Sequence, residues 1–365
     1  MQTVKNITSI KYFLDRFETV DQEYTFDVKY HDKAPNTFFR SLPTFIAEFN
    51  NCSVHTLPLL VTEDRHLITH HVWPLLHKHK HKAKKIHKLW NDWSTPTIDI
   101  ALPPVTKQLD GNKFVWLPID EESANNPWHI WIDVISKFRL IEKRGSTIFS
   151  KFIYILPNAS AYFDKVAKEL FPDLKYYVMP KGEVWRFQKL IVPSMSNHHD
   201  GVITPHLAPW LRHFKGLFGY KTLKPNRKIC VLRPGAKTRK LINSTELILA
   251  LKGWESVALE KMSIKKQFKT FAEATHILAA HGAGLVNLLW CNEKTKVTEI
   301  QDPLMLHKKV YPLLSHHLGL EHDVYTAETI PIDIATGGKK PIGIKRLNDL
   351  INFKIDIPDL IRHLD

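Results

Sequence analysis

Residues 228–300 constrain the fold most, because strand-like apolar runs alternate there with helical segments at short intervals. Strands are predicted at 228–232, 256–259, 276–280 and 296–300, and helices at 244–252, 264–274 and from 284 onward. Strands joined through helices lie parallel, and a parallel sheet has to be covered on both faces. The pattern therefore predicts a doubly wound α/β domain that binds its ligand at the carboxyl ends of the strands.

A turn of small residues follows the third of these strands and reads His281-Gly282-Ala283-Gly284, with Asn287 just beyond it. Small residues let a phosphate approach the main-chain N–H groups, and the start of a helix favours negative charge. His281 stands at the end of the strand, within reach of a phosphate or a sugar. Tight strand-to-helix packing needs the same small residues, so the turn alone leaves both interpretations open.

A basic loop follows the first of these strands and carries Arg233, Lys237, Arg239 and Lys240. Such cations would hold a diphosphate and stabilise the charge that develops on a departing nucleotide. A solvated loop is the alternative that these residues leave open.

His129 and Asp133 lie four residues apart in a predicted helix over 126–143, so both project from one face. A sugar transfer with inversion needs a base near the acceptor hydroxyl, because the attacking oxygen loses its proton. A surface pair on an amphipathic helix is the alternative.

In combination, these segments resemble glycosyltransferase family 61, which includes plant β-1,2-xylosyltransferases, animal O-linked N-acetylglucosaminyltransferases and bacterial capsule enzymes. The matching residues, in chain order, are Asn126, His129 and Asp133; Arg233, Arg239 and Asn243; Ser263, Gln267 and Phe271; residues 281–285 and Asn287; and Glu299 with Ile300. The chain departs from the family pattern after Asp133, where Leu-Pro-Arg-Leu is usual, and at Ser244, where Glu is usual.

The resemblance implies an α/β fold of the GT-B type, with two Rossmann-like domains facing a central cleft, and an inverting, metal-independent transfer. It implies that Asp133, with His129 beside it, is the catalytic base, and that Glu299 meets the nucleoside ribose. With the basic loop included, the predicted donor-binding residues are Arg233, Lys237, Arg239, Asn243, Gln267, His281, Gly282, Ala283, Gly284, Asn287 and Glu299.

The 365 residues are enough for two domains. We expect an acceptor-side domain over 1–205, a nucleotide-sugar-binding domain over 206–330, and a C-terminal segment, 331–365, that packs back on the first domain. The boundary is expected in the segment 195–206, which is rich in His, Asn, Gly and Pro.

A basic, tryptophan-flanked segment within residues 70–93 is the compositional outlier of a chain with a formal net charge of +14. Its candidate surface residues are Trp73, His77, Lys78, Lys80, Lys82, Lys84, Lys85 and Trp90. The segment fits a glycan or lipid-linked glycan acceptor at an anionic membrane, DNA whose flipped, hydroxylated base receives the sugar, or a solvated basic helix. A non-catalytic basic protein that binds nucleotides or nucleic acid is the alternative to an enzyme.

No cofactor is expected besides the nucleotide-sugar substrate, and no metal, because the sequence has no Asp-x-Asp triplet to hold a divalent ion. The interleaved lysines oppose metal binding by the alternating histidines at 77, 79 and 81. The sequence has no signal-peptide-like or membrane-spanning run, and Cys52, Cys230 and Cys291 show no paired spacing. We therefore expect reduced cysteines and a cytoplasmic protein, of a bacterium or a virus-infected cell.

Overall fold

The structure of the chain, a computed structural model, divides into two compact units, residues 1–25 with 40–199 and residues 26–39 with 200–365. The residues that the structure describes are 2–3, 6–8, 18–21, 24–28, 37–41, 44–56, 59–68, 101–119, 121, 123–143, 151–194, 203, 206–217, 219–220, 223–235, 240–303, 309–331 and 351–364. The predicted domain boundary between 205 and 206 lies near the division between residues 199 and 200.

The N-terminal part of the chain is rich in strands. In chain order they are β1 Gln2–Thr3, β2 Asn6–Thr8, β3 Glu18–Asp21, β4 Tyr24–Val28, β5 Thr37–Ser41, β6 Thr44–His55, β7 Leu59–Val61, β8 His66–Ile68, β9 Ala101–Leu102, β10 Lys107–Leu109, β11 Phe114–Trp116, β12 Ile153–Leu156, β13 Lys175–Val178 and β14 Val184–Pro193. One ten-stranded sheet has the order β13-β12-β11-β14-β6-β7-β8-β2, with β10 beside β14 and β3 beside β6. β1 pairs with β9, and β4 with β5.

This sheet has two halves that differ in strand direction. β11 runs parallel to β12 and β14, and β12 runs parallel to β13, as in a Rossmann-like domain. From β14 onward, β6, β7 and β8 pair antiparallel. β6, β7 and β8 follow one another directly along the chain, and short connections of this kind produce hairpins rather than parallel crossovers. The first unit is therefore a mixed α/β structure and only its parallel half resembles the predicted domain type.

Two helices of this unit begin at a capping side chain, and the first of them was predicted over 126–143. Helix α1 consists of the consecutive segments Pro127–His129, Ile130–Ile135 and Ser136–Lys143, and α2 is Ala161–Leu170. The Asn126 side chain accepts a hydrogen bond from the main-chain N–H of Trp128 at 2.9 Å, which satisfies one of the free donors at the start of α1. Ser160 does the same for α2 through the N–H of Phe163 at 2.9 Å.

The second unit contains the regular alternation of strands and helices. Its strands are β15 Arg227–Leu232, β16 Trp254–Ala258, β17 Ala274–Ala280, β18 Lys296–Gln301, β19 Glu321–Thr326, β20 Glu328–Pro331 and β21 Ile351–Lys354. Its helices are α3 Leu207–Leu217, α4 Ser244–Ala250, α5 Ile264–Ala272, α6 Val310–Leu318 and α7 Ile357–Leu364, with 3₁₀ segments at Leu259–Lys261 and Ala283–Trp290.

The sheet of the second unit has the order β16-β15-β17-β18-β19, and all of its pairings are parallel. The predicted parallel α/β sheet over residues 228–300 is confirmed. The predicted helix after the small-residue turn is a 3₁₀ segment instead. β16 lies on one side of β15 in the sheet, and β17 lies on the other side of β15. The direction in which successive strands are added therefore reverses between β15 and β17. Ligands of such sheets bind at this switch point.

Alternate side chains of the strands face opposite sides of this sheet. Leu278 and Ile300 belong to a buried cluster with Leu247 of α4 and Leu360 of α7, whereas Glu299 faces the other side. The packing of residues 331–365 on the N-terminal domain stays a prediction. The described part of this segment, 351–364, belongs to the second unit, where the apolar face of α7 packs into the cluster.

Cys52, Cys230 and Cys291 are buried and form no disulfide in the structure. Burial in apolar surroundings raises the pKa of each thiol to about 12. Within the described ranges, none of the helices is both long enough and apolar enough to cross a bilayer.

Candidate functional site

The switch point of the second unit brings two predicted donor-binding segments together. Arg233 directly follows β15, and the turn of His281 and Gly282 directly follows β17. Arg233 Nη1 donates a hydrogen bond to the carbonyl oxygen of His281 at 3.4 Å. A Cβ atom added to Gly282 would lie 3.1 Å from Nη1 of Arg233, so the guanidinium lies close against the turn and would have to shift by a few tenths of an ångström for a larger residue at 282.

The next residues of the turn are fixed by packing. A Cβ atom at Gly284 would lie 2.9 Å from Cδ1 of Leu259, closer than real Cβ contacts allow. Ala283 starts the 3₁₀ segment and is half-buried. Packing accounts for both glycines, since Gly282 lies against the guanidinium of Arg233 and Gly284 against Leu259, and ligand binding by the turn stays a prediction.

A cavity of about 390 Å³ lies at the carboxyl ends of β15 and β17. Its apolar lining includes Leu278 and Ile300, and its charged lining is Arg233 and Lys240. No acidic side chain lines it in the described part of the chain. The volume is in the range of small-ligand sites, and the two cations give it a preference for an anion.

Asn243, a predicted donor-binding residue, is buried and bonded to the chain itself. Its Nδ2 donates to the carbonyl oxygen of Ile355 at 2.8 Å, and its Oδ1 accepts from the N–H of Ile355 at 3.2 Å. These two bonds attach the segment between β21 and α7 to the start of α4. Both polar atoms of the side-chain amide therefore bond to the main chain of Ile355.

Gln267 and Asn287, two more predicted donor-binding residues, also bond to the main chain. Gln267 Nε2 donates to the carbonyl oxygens of Leu259 at 3.0 Å and Met262 at 3.4 Å. Asn287 Nδ2 donates to the carbonyl oxygen of Gly284 at 3.0 Å. Both amides support the loops around the turn, so their contribution to a ligand site is indirect.

The contacts of Glu299 differ from those implied by the resemblance. The carboxylate is fully buried, and its two oxygens accept hydrogen bonds from His281 and His322. Burial raises the pKa of this carboxyl, but the hydrogen bonds from the two histidines outweigh that effect and lower its pKa to about 2. A carboxylate with both oxygens occupied in a buried position cannot also meet a ribose in this arrangement.

The predicted pair in the first unit is formed. His129 Nδ1 and Asp133 Oδ2 lie 2.6 Å apart, and the side chains remain 20% and 14% exposed. The pair coincides with the segment Ile130–Ile135 of α1, which has π-helical hydrogen bonding: the N–H of Ser136 donates to the carbonyl oxygen of Trp131. Such wide turns recur at functional sites because they displace side chains and free carbonyl oxygens.

Lys137 is a neighbour of this pair that was not among the predicted site residues. It is fully buried, and its Nζ donates to the carbonyl oxygen of Asp133. Burial lowers the pKa of the Lys137 ammonium to about 8, and the nearby charge of Asp133 acts in the opposite direction. The available signal was spacing, since residues 129, 133 and 137 follow one another at intervals of four along one helix face. His322 and Ser315 were missed as well, because they lie far from Glu299 in sequence.

Several predicted site residues lie outside the described part of the chain. They are Lys237 and Arg239 of the basic loop, and Trp73, His77, Lys78, Lys80, Lys82, Lys84, Lys85 and Trp90 of the basic segment. Their roles stay predictions.

Comparison with known families matches the region that contains both sites. The family model described as Glycosyltransferase 61 matches residues 127–298. Residues 127–298 are therefore similar to glycosyltransferase family 61. The region starts with α1, includes Asp133, Arg233 and the small-residue turn, and ends one residue before Glu299. The predicted resemblance is confirmed, and the family is one of enzymes rather than of non-catalytic binding proteins.

A curated relative supports the same family. A beta-1,2-xylosyltransferase of Oryza sativa subsp. japonica is 32% identical over 98 residues, which cover 24% of this chain and 18% of the relative. The chain therefore matches less than a fifth of that relative's length. The substrates of the whole rice protein are therefore not assigned to this chain by the match.

Proposed function

We propose that the chain is a glycosyltransferase that moves a sugar from a nucleotide-sugar to a hydroxyl acceptor, with the donor's diphosphate bound in the cavity at the switch point of the second unit. The observation that carries the proposal is the guanidinium of Arg233 lying against Gly282, where β15 and β17 separate beside the cavity. The glycosyltransferase 61 match supports the reaction class.

The chemistry of this cavity suits a leaving diphosphate. When the bond between the sugar and the diphosphate breaks, negative charge develops on the departing nucleotide, and preorganised cations stabilise it most when they lie in a site shielded from water. Arg233 and Lys240 line the cavity, and Arg233 is held in place by the carbonyl oxygen of His281. Under this proposal, Lys237 and Arg239 of the adjoining loop add to the same charge.

The acceptor side of the reaction is assigned to Asp133. In an inverting transfer, the acceptor hydroxyl attacks the anomeric carbon opposite the leaving diphosphate and passes its proton to a base. Asp133 has a bound imidazole at 2.6 Å and retains partial exposure, so it can accept a proton and share it with His129. The GT-B arrangement and the inverting, metal-independent mechanism belong to this proposal.

A glycan is the proposed acceptor class, because the rice relative's name describes a xylosyl transfer within the same family. DNA with a hydroxylated base is the second candidate, and the observation that favours it is the +14 net charge with the basic segment in residues 70–93. An acceptor screen separates the two.

The binding half of the proposal is tested by calorimetry with nucleoside diphosphates. Arg233→Ala should weaken binding about 10- to 100-fold, because a charge-assisted contact between phosphate and a half-buried guanidinium is lost. The matched control is Lys228→Ala, which removes a positive charge from the opposite end of the same strand. Equal affinities of the wild type and Arg233→Ala for the diphosphate would contradict the proposal that the diphosphate binds in this cavity.

A further inference from the structure

A buried lysine lies next to the candidate base in α1. Between Trp128 and Ile141, every residue of this helix is buried except His129 and Asp133. Lys137 is 0% exposed, although lysine is among the residue types that are least often fully buried. The stretch of helix that carries it has no solvated face, so its cation has to be satisfied by polar groups inside the unit.

The contacts of Lys137 lie at the wide turn of α1. There the N–H of Ser136 donates to the carbonyl oxygen of Trp131 and not to that of Ile132, its usual partner in an α-helix. The hydroxyl of Ser136 donates to the carbonyl oxygen of Ile132 instead, at 2.5 Å. The next carbonyl oxygen, that of Asp133, accepts a hydrogen bond from Nζ of Lys137. Side chains of two consecutive residues therefore hold two consecutive carbonyl oxygens of the turn.

Lys137 acts on Asp133 in two ways. Its hydrogen bond fixes the main chain from which the Asp133 carboxylate projects. Its charge attracts that carboxylate, and opposite charges attract more strongly where water is excluded. Burial lowers the pKa of the Lys137 ammonium only to about 8, so most of it is charged at neutral pH. The carboxylate in turn contacts Nδ1 of His129 at 2.6 Å.

We propose that Lys137 is a positioning residue: its ammonium holds the main chain at the wide turn of α1 and thereby keeps the carboxylate of Asp133 in contact with His129. This inference rests on the proposed function, in which Asp133 takes the proton of the acceptor hydroxyl. Because Lys137 is fully enclosed, it acts through Asp133 and does not touch the acceptor. A catalytic group displaced by about 1 Å loses on the order of 10² in rate, so the position of the carboxylate matters for turnover.

The variant that tests the proposal is Lys137→Met, which removes the ammonium and keeps an unbranched side chain of similar length. We expect kcat to fall about 10- to 100-fold, because the carboxylate no longer keeps its place beside the acceptor hydroxyl. Binding of nucleoside diphosphate should be unchanged, since Arg233 and the cavity belong to the second unit. The matched control is Lys168→Met, the same exchange at an exposed lysine of α2 in the same unit.

The first measurement does not depend on sugar transfer. At 2.6 Å, Nδ1 of His129 and Oδ2 of Asp133 have to share a hydrogen, because two bare lone pairs would repel each other. Proton and nitrogen NMR of the unliganded protein, assigned through His129→Gln, should show this hydrogen as a downfield signal on Nδ1. The signal should move upfield or vanish in Lys137→Met and persist in Lys168→Met. An unchanged signal in Lys137→Met would overturn the proposal, even if that variant lowers kcat.

The second measurement is a double-mutant cycle on kcat. If Lys137 acts through Asp133, Lys137→Met should cost less than about 3-fold in the Asp133→Asn background, and a loss as large as in the wild-type background contradicts the proposal. If Lys137→Met does not fold, Lys137→Gln takes its place, because its amide also removes the cation, and the same results are expected. If the wild type consumes no donor, the proposed function fails, while the NMR signal still decides whether Lys137 holds the pair.

Discussion

Each unit of the chain pairs a carboxylate with Nδ1 of a histidine, and the two pairs are built differently. His129 and Asp133 are neighbours on one helix face and keep 20% and 14% of their side chains exposed. His281 and Glu299 come from adjacent strands and keep 7% and 0%. The accessible pair has the exposure that the proposed proton transfer needs, whereas the carboxylate of the buried pair has both of its oxygens in hydrogen bonds with histidines. The same contact thus leaves one carboxylate accessible to solvent and the other fully enclosed.

The largest expected effect is on the accessible pair. Asp133→Asn should lower turnover about 10²- to 10⁴-fold, because the amide cannot take the proton of the acceptor hydroxyl. Steady-state kinetics should show this loss in kcat while calorimetry shows unchanged nucleoside diphosphate binding. The control is Glu142→Gln, an exposed carboxylate later on the same helix. Near-normal turnover in Asp133→Asn would assign the base elsewhere.

The buried pair should respond to acid. The folded-state pKa of Glu299, about 2, is below the ordinary value of 4.5, so the unfolded chain takes up the proton first as pH falls. The stabilisation is complete above pH 4.5 and is lost between pH 4.5 and 2, by on the order of 3 kcal/mol. Urea unfolding at pH 3, 4 and 5 measures it. Glu299→Gln should lack this part of the acid sensitivity, and an identical pH dependence in both proteins would refute the interpretation.

The helix of the accessible pair should respond to alkali through Lys137. Burial lowers the folded-state pKa of its ammonium from 10.5 to about 8, so between these values the unfolded chain binds a proton that the folded chain has lost. The free energy of unfolding should therefore rise with pH across this window, by at most about 3 kcal/mol. Urea unfolding from pH 7.5 to 10.5 tests this against Lys137→Met, in which the rise should be absent. Parallel curves would contradict the burial argument.

The smallest expected effect is that of chelation. Cations of the chain, Arg233 and Lys240 among them, are proposed to stabilise the leaving diphosphate, so EDTA should leave the turnover of a nucleotide-sugar unchanged. Colorimetric detection of released diphosphate measures this. If EDTA abolishes turnover and added manganese restores it, the proposed metal-independent mechanism is contradicted.

The difference between the two pairs also explains what the sequence could predict. His129 and Asp133 were found because a helix has a fixed period, so a spacing of four residues is a statement about geometry. The parallel sheet was predicted for the same reason, since its strands and helices each have a local period. Lys137 lies on the same helix face and could have been included by extending that spacing by four residues.

The buried pair could not be predicted in this way. Glu299 meets His281 and His322 through strand register, which depends on how separate segments align and has no signature in a single segment. Asn243 and Gln267 were assigned to the donor by family resemblance, whereas their amides bond main-chain groups. An amide side chain that binds a ligand and an amide side chain that bonds to a neighbouring main-chain group look the same in the sequence. Only the contacts in the structure distinguish the two.

The most direct test of the proposed function is the release of nucleoside diphosphate from a panel of nucleotide-sugars, each supplied in turn with membrane-derived glycans, DNA and hydroxymethylated DNA. We predict that one donor is consumed and that a glycan acceptor accelerates its consumption, with the sugar recovered on the glycan. Acceleration by hydroxymethylated DNA alone would change the acceptor class to DNA. If the protein binds nucleoside diphosphate through Arg233 but consumes no donor with any acceptor, the proposal that it is a glycosyltransferase is contradicted. The chain would then be a nucleotide-binding protein.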